Sequence, residues 1–220
     1  MKILLRLAGL SVFAPTLTFA QGCKVPDVAT YITAAELKEV QNAGAARTPP
    51  AVDQMLAIVD LCKYNLGIGI IHRGSTRVAA RGGAKKGGGR GKVAAERCSS
   101  GPAPANMTPS GASGISHDDE TETYIIIGGA ATMVTGGVIV DGIRSGPESE
   151  VTKILNGPSC SGQIVGNVQK REVGVGDMVI IPFGTPHGFS DIPDHIDYLS
   201  VRPDPDHVLQ AGYVNPAIKK

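Results

Sequence analysis

The strongest constraint on this chain is how often its apolar runs are interrupted. From Gln54 to Arg202 they alternate with turn signals: GG at 128–129, DG at 141–142, NGP at 156–158 and GVGD at 174–177. Runs this short, cut by glycine and proline, suit strands joined by tight connections better than packed helices. The segments expected as strands are Gln54–Asp60, Tyr64–His72, Glu122–Ile127, Ala131–Val140, Val151–Leu155, Gln163–Val168, Met178–Ile181, Gly188–Ile192 and Ile196–Arg202. Composition agrees: 29 glycines and 15 prolines accompany no tryptophan and only five tyrosines and four phenylalanines. The expected fold class is mainly all-β, an antiparallel sandwich or barrel. In Tyr64–His72, Leu66, Ile68, Ile70 and His72 share one face and are expected to point inward, with Gly67 and Gly69 on the other.

One helix is expected near the N-terminus. Thr33 can cap it, Glu36 completes a T-x-x-E capping box, and Gly44 stops it. Before it, residues 1–20 read as a signal peptide: Lys2 and Arg6, an apolar core, then Thr18 and Ala20 as a small-residue cleavage site. This implies export to the periplasm or the extracellular space, with no membrane span in the mature chain. Cys23, Cys62, Cys98 and Cys160 would then meet a compartment where disulfides persist. They contain no CxxC pair, and three full pairings remain open. The remaining segments are a helical region at 21–50, first barrel strands at 51–73, a barrel core at 115–205 and a C-terminal tail at 206–220.

Between them lies a Gly-rich basic stretch at 74–114, without an aromatic residue. It offers too little apolar surface to offset the entropy of ordering it, so a mobile excursion is expected. Residues 73–97 hold eight Arg or Lys against Glu96 alone. Such an arm could bind a polyanion, but RNA-binding segments of this kind interleave aromatics for stacking. A solvated loop is the favoured reading, and nucleic acid is not an expected partner. GGGRGKV does not make a phosphate loop, because Lys86 stands at the first glycine and Val93 replaces the Ser or Thr that holds magnesium. Serine-nucleophile motifs are missing too.

Ligand-type residues concentrate at HDDETETYIIIGG (117–129), at GDMVIIPFGTPHGFSD (176–191) and at His72. Imidazole and carboxylate together suit a first-row divalent metal such as Fe, Mn, Zn or Ni. Glu122, Tyr124 and Ile126 share one strand face, and the Pro-x-Gly-x-Pro turn would fix the direction of His187.

These two stretches resemble the paired motifs of the cupin superfamily, antiparallel β-barrels of jelly-roll type that commonly hold one metal ion. In the second motif, G-x5-P-x-G-x-P-H-x3-N, the matching residues are Gly176, Pro182, Gly184, Pro186 and His187, with Asp191 at the asparagine position. In the first, H-x-H-x3-4-E-x6-G, the matches are His117, Glu122 and Gly129, and Ile115 replaces the first histidine. The resemblance implies a metal set of His117, Glu122 and His187, with His72 a candidate for the vacant place. A competing set pairs His117 with Asp119 and adds His187, as in non-haem iron oxygenases. Asp118, Asp119 and Glu120 otherwise read as an acidic solvated turn. Glu122 and Tyr124 are the catalytic candidates, Glu122 serving as a base if it is not a ligand. Arg202 would grip a substrate carboxylate if it points inward and be solvated if outward. His195 and His207 are expected at the surface.

What the resemblance implies is a metal-dependent enzyme, of dioxygenase, decarboxylase or isomerase type, acting on a small organic molecule. The alternative is a non-catalytic binder or sensor with an incomplete metal site. Members of this superfamily also often pair as homodimers.

Overall fold

The computed structural model describes residues 23–79 and 96–219. The leader expected at 1–20, and most of the basic stretch, lie outside them. Helix α1, Ala34–Ala45, forms as expected. The Thr33 hydroxyl accepts from the Glu36 amide (3.2 Å), and the Glu36 carboxylate accepts from the Thr33 amide (2.7 Å), completing the capping box.

Nine strands follow among the described residues: β1 Asp53–Asp60, β2 Asn65–Gly74, β3 Arg97–Cys98, β4 Pro109–His117, β5 Glu122–Arg144, β6 Ser159–Gly174, β7 Met178–Ile181, β8 His187–Asp191 and β9 His195–Asp204. Every pairing among them is antiparallel. One sheet runs β1-β2-β9-β5, with β7 on the other side of β5. In the other, β5 pairs with β6, β6 with β4, β4 with β8, and β8 again with β5, so the strands close into a barrel without a free edge at that end. The two runs expected at 122–127 and 131–140 are one continuous strand, which belongs to both sheets.

The alternation expected of β2 is present, but its faces are reversed. Ile68 and Ile70 point outward, where α1 covers them through Leu37 and Val40, with Leu56 of β1 alongside. Full burial of Val40 and Leu56 contributes ~1.5–3 kcal/mol each. Gly67, Gly69 and Ile71 face the interior. A Cβ at Gly69 would lie 3.1 Å from Nη1 of Arg202, so a larger residue there would have to displace the guanidinium. The strand turns its small face inward because the barrel already holds a large side chain at that level.

Val151–Leu155, expected as a strand, is a single π-helical turn. The Thr152 amide donates to Ser149 Oγ (3.3 Å), its hydroxyl donates to the Gly146 carbonyl (2.8 Å), and Asn156 N–H closes on Val151 O (2.7 Å). Such local side-chain bonds satisfy the backbone without a neighbouring strand, and they outweigh the β-branched composition.

The described parts of the segment expected as an excursion pack on the body. A short helix α2, Thr76–Ala79, docks on the end of β8 through reciprocal bonds between Thr76 and Ile192, and Arg77 grips Asp191 with two hydrogen bonds (3.0 and 2.7 Å). Cys98 is tied to Cys160, as Cys23 is to Cys62. Strand β4 begins at Pro109, inside the segment. The C-terminal tail also returns to the body: Leu209 is buried with Met55 and Ile58, and Asn215 donates to the Met55 carbonyl (2.8 Å). No helix among the described residues is long and apolar enough to cross a membrane.

Candidate metal centre

Three strand ends build the site. His117 closes β4, Glu122 opens β5 five residues later, and His187 opens β8. The Pro182–Pro186 turn aims His187. Gly184 adopts φ +71°, a conformation glycine reaches without a Cβ penalty. Its amide donates to the His117 carbonyl (2.7 Å), which pins the second motif to the first.

The protons on both imidazoles are fixed by their outer partners. His187 Nδ1 lies 2.9 Å from the Thr185 carbonyl, an acceptor only, so Nδ1 carries the hydrogen. His117 Nδ1 lies 2.9 Å from Ser159 Oγ. That hydroxyl gives its own proton to the carbonyls of Gly157 (2.9 Å) and Asn156 (3.1 Å), so its oxygen accepts from His117. Both Nε2 lone pairs therefore point inward, and each nitrogen is 3.1 Å from the same oxygen, Glu122 Oε2. His187 Nε2 is buried and makes no hydrogen bond.

The carboxylate is locked from behind. Glu122 Oε1 accepts from Arg202 Nε (2.7 Å) and from Ser200 Oγ (2.9 Å). Burial alone would raise this carboxyl, but the Arg202 charge and then His117 hold it well below the usual carboxylate range. Burial conversely pushes the His117 imidazole below its ordinary value, against the pull of Glu122. With both Nδ1 atoms turned to outer acceptors, the two Nε2 atoms and Glu122 Oε2 converge on one point as potential electron-pair donors. Bare, that arrangement is repulsive. A cation relieves it, and donor separations of 3.1 Å suit a polyhedron with metal–nitrogen bonds of about 2.1 Å. The backbone carbonyl on the His187 ring is an outer partner of the kind that orients metal-binding histidines. The residues present fit a divalent ion.

The other expected ligands are not part of this group, which among the described residues consists of His117, Glu122 and His187. His72 lies outside the barrel, its side chain 56% exposed and 2.6 Å from Asp197; the reversed faces of β2 put it there. Asp119 is exposed in the turn after β4, so the H-x-D pairing does not form. Glu120 departs from the expected solvated turn. It is buried, neither oxygen has a partner, and burial first and Asp204 next push its carboxyl up to about 8. Three adjacent acidic residues read as solvent-facing, and nothing in their spacing reveals which one turns in. His195 is half-buried between Asp194 and Asp197, and His207 is exposed.

The cluster opens onto a cavity of about 390 Å³. Ile115, directly across the β4–β8 ladder from His187, lies on its wall, so the position expected to supply another histidine is apolar. The Tyr124 and Tyr198 rings are 4.2 Å apart, and Tyr124 stands edge-on to His187 at 5.9 Å. Burial, then Glu122, keeps Tyr124 protonated, its pKa well above the ordinary value. Arg202 points inward, but its fork is taken by the protein: besides Glu122 it grips Asp53 (2.8 Å) and the Leu155 carbonyl (2.8 Å).

The two motifs thus sit on adjoining strands of one closed antiparallel barrel, with His117, Glu122 and His187 inside. A closed antiparallel barrel is the fold that the resemblance to cupins implies. No family model matches the chain, and no curated protein does. Solved structures overlap it loosely. A Bacillus halodurans protein is similar at 11% identity and TM-score 0.37, over 87% of this chain and 92% of its own. An RmlC-like cupin family protein with a double-stranded β-helix fold, from Methanocaldococcus jannaschii, shares 12% identity at TM-score 0.32 over 70% of this chain and 82% of its own. The iron(II) form of HppE gives 10% and 0.27, over 68% and 55%. Overlaps at this level transfer no residue role or activity to this chain.

Proposed function

We propose that the chain is an exported, metal-dependent cupin-like enzyme acting on a small organic molecule, in a reaction of dioxygenase, decarboxylase or isomerase type. The observation that carries this reading is the convergence of three buried lone pairs, from His117, Glu122 and His187, on the wall of a cavity of substrate size. These side chains would hold one Fe, Mn, Zn or Ni ion. When bound, it would supply Lewis acidity or a redox-active centre for a substrate oxygen. With only three protein ligands, coordination positions remain for substrate, as catalysis needs and structural sites do not.

Other residues have roles fixed by their environment. Arg202 and Ser200 keep Glu122 ionised and oriented, so it is a ligand and a poor base near neutral pH. Tyr124, kept protonated, can donate a hydrogen bond in the cavity and cannot accept a proton there. The Tyr pair and Phe189 form an apolar wall that limits water around the substrate. Two disulfides support the exported location.

Metal analysis tests the proposal. Protein refolded separately with iron, manganese, nickel and zinc should retain about one equivalent of at least one of them, and His187→Ala and Glu122→Ala should retain none. Metal-free wild type after all four refoldings would remove the enzyme reading. A second reading, a non-catalytic binder, is favoured by Ile115 at the fourth ligand position. It predicts small-molecule binding with no turnover even in metal-loaded protein.

A further inference from the structure

The site contains a second arginine that the metal reading does not use. Arg73 ends the inward face of β2, two residues beyond Ile71. Its Nε donates to the Tyr198 hydroxyl (3.1 Å), and its guanidinium lies 5.8 Å from the Phe189 ring centroid. No other hydrogen bond of its side chain, and no acidic partner, exists among the described residues. A guanidinium carries five N–H donors in a planar fork, so four stay uncommitted. Tyr198 and Phe189 hold the head in place, which lowers the entropy lost when those donors are used.

Its position is equally specific. Arg73, Phe189 and Ser113 line both the 390 Å³ cavity of the metal centre and an adjoining cavity of about 550 Å³ that reaches the outer side of β8. Arg73 therefore stands where the two cavities meet. The other arginine in the outer cavity, Arg77, is already neutralised by Asp191. The inner cavity contains the Glu122 and Asp53 carboxylates, both bonded to Arg202. Among the described residues, Arg73 is the charged group facing both spaces that is bonded to no carboxylate, and it stands beside aromatic walls.

We propose that Arg73 anchors the carboxylate of a small organic acid, whose apolar body lies along Phe189, Tyr198 and Tyr124 with its far end toward His117 and His187. The planar fork matches a carboxylate through two parallel hydrogen bonds. Phosphate offers the fork an anion but no apolar body to lie along the aromatic walls. The inference rests on the metal-centre reading for the direction of the ligand, though not for its binding.

The test is calorimetric titration of wild type, Arg73→Gln and Arg73→Lys, each metal-free and metal-loaded, with benzoate, benzamide and inorganic phosphate as probes. Benzoate should bind wild type and weaken at least tenfold in Arg73→Gln. Arg73→Lys, which keeps the charge and loses the fork, should fall between. Benzamide should bind wild type and Arg73→Gln equally weakly, and phosphate should not displace benzoate. Equal benzoate affinity in wild type and Arg73→Gln, benzamide binding as tight as benzoate, phosphate displacing benzoate, or no benzoate binding to folded wild type would each overturn the inference. Metal content separates the two readings. Arg73→Gln should keep the wild-type metal content, and Arg73-dependent benzoate binding by protein that holds no metal would sustain this inference while removing the metal centre.

Discussion

Two arginines enter the same barrel and meet opposite circumstances. Arg202, on β9, is fully buried and shared between Glu122 and Asp53, with the Leu155 carbonyl completing its fork. Arg73, on β2, is half-buried and has one tyrosine hydroxyl. The difference is between a strut and a binding group. Arg202 fixes the protonation state and orientation of a ligand carboxylate, and its donors are spent within the fold. Arg73 has donors left to spend on something that arrives.

Removing the strut should cost most. Arg202→Leu leaves two carboxylates, Glu122 and Asp53, without their counter-charge in a closed interior, and a loss of ~3–5 kcal/mol is expected in urea unfolding. A loss below about 1 kcal/mol would mean that the network relaxes onto other partners. Crowding the strut should cost less. Gly69→Val places its Cβ 3.1 Å from Arg202 Nη1, and overpacking of this kind lowers stability by ~1–3 kcal/mol, readable in the same experiment. Arg73→Gln should barely register, because it gives up one hydrogen bond, worth about 1 kcal/mol or less. Stability effects of equal size at Arg73 and Arg202 would erase the distinction between them.

The smallest effect concerns a third arginine, outside the barrel. Arg77 holds the exposed Asp191 carboxyl below its ordinary value through their hydrogen bonds, against a small opposing effect of burial. The folded pKa is depressed, so the contribution is fully present above the unfolded value of about 3.9 and fades as pH falls through the folded one. Arg77→Ala should raise the Asp191 titration midpoint seen by NMR and flatten that part of the acid limb. An unchanged midpoint would show that the pair does not form in solution.

The sequence showed the site better than it showed what surrounds it. The Pro-x-Gly-x-Pro turn, the spacing of His117 and Glu122, and the capping box on α1 are local features, and each appears where the residues placed it. The alternation of β2 was readable, but its sense was not. Periodicity defines two faces, and only the docking of α1 over Ile68 and Ile70 decides which one lies inside. That inversion also removed His72 from the site. The early start of β4 was masked because PSGASG has neither β-branched nor aromatic residues. The fates of the arginines were beyond the sequence for a different reason. Asp53 lies 149 residues from Arg202, so a fork filled by the fold and a fork left open look alike along the chain.

The central claim is that His117, Glu122 and His187 share one ion. Anomalous diffraction from crystals of metal-loaded protein tests it most directly, since it locates the ion as well as detecting it. The account predicts a single strong anomalous peak within bonding distance of His117 Nε2, His187 Nε2 and Glu122 Oε2. A peak elsewhere, or none there while the two imidazoles contact Glu122 directly, would contradict it.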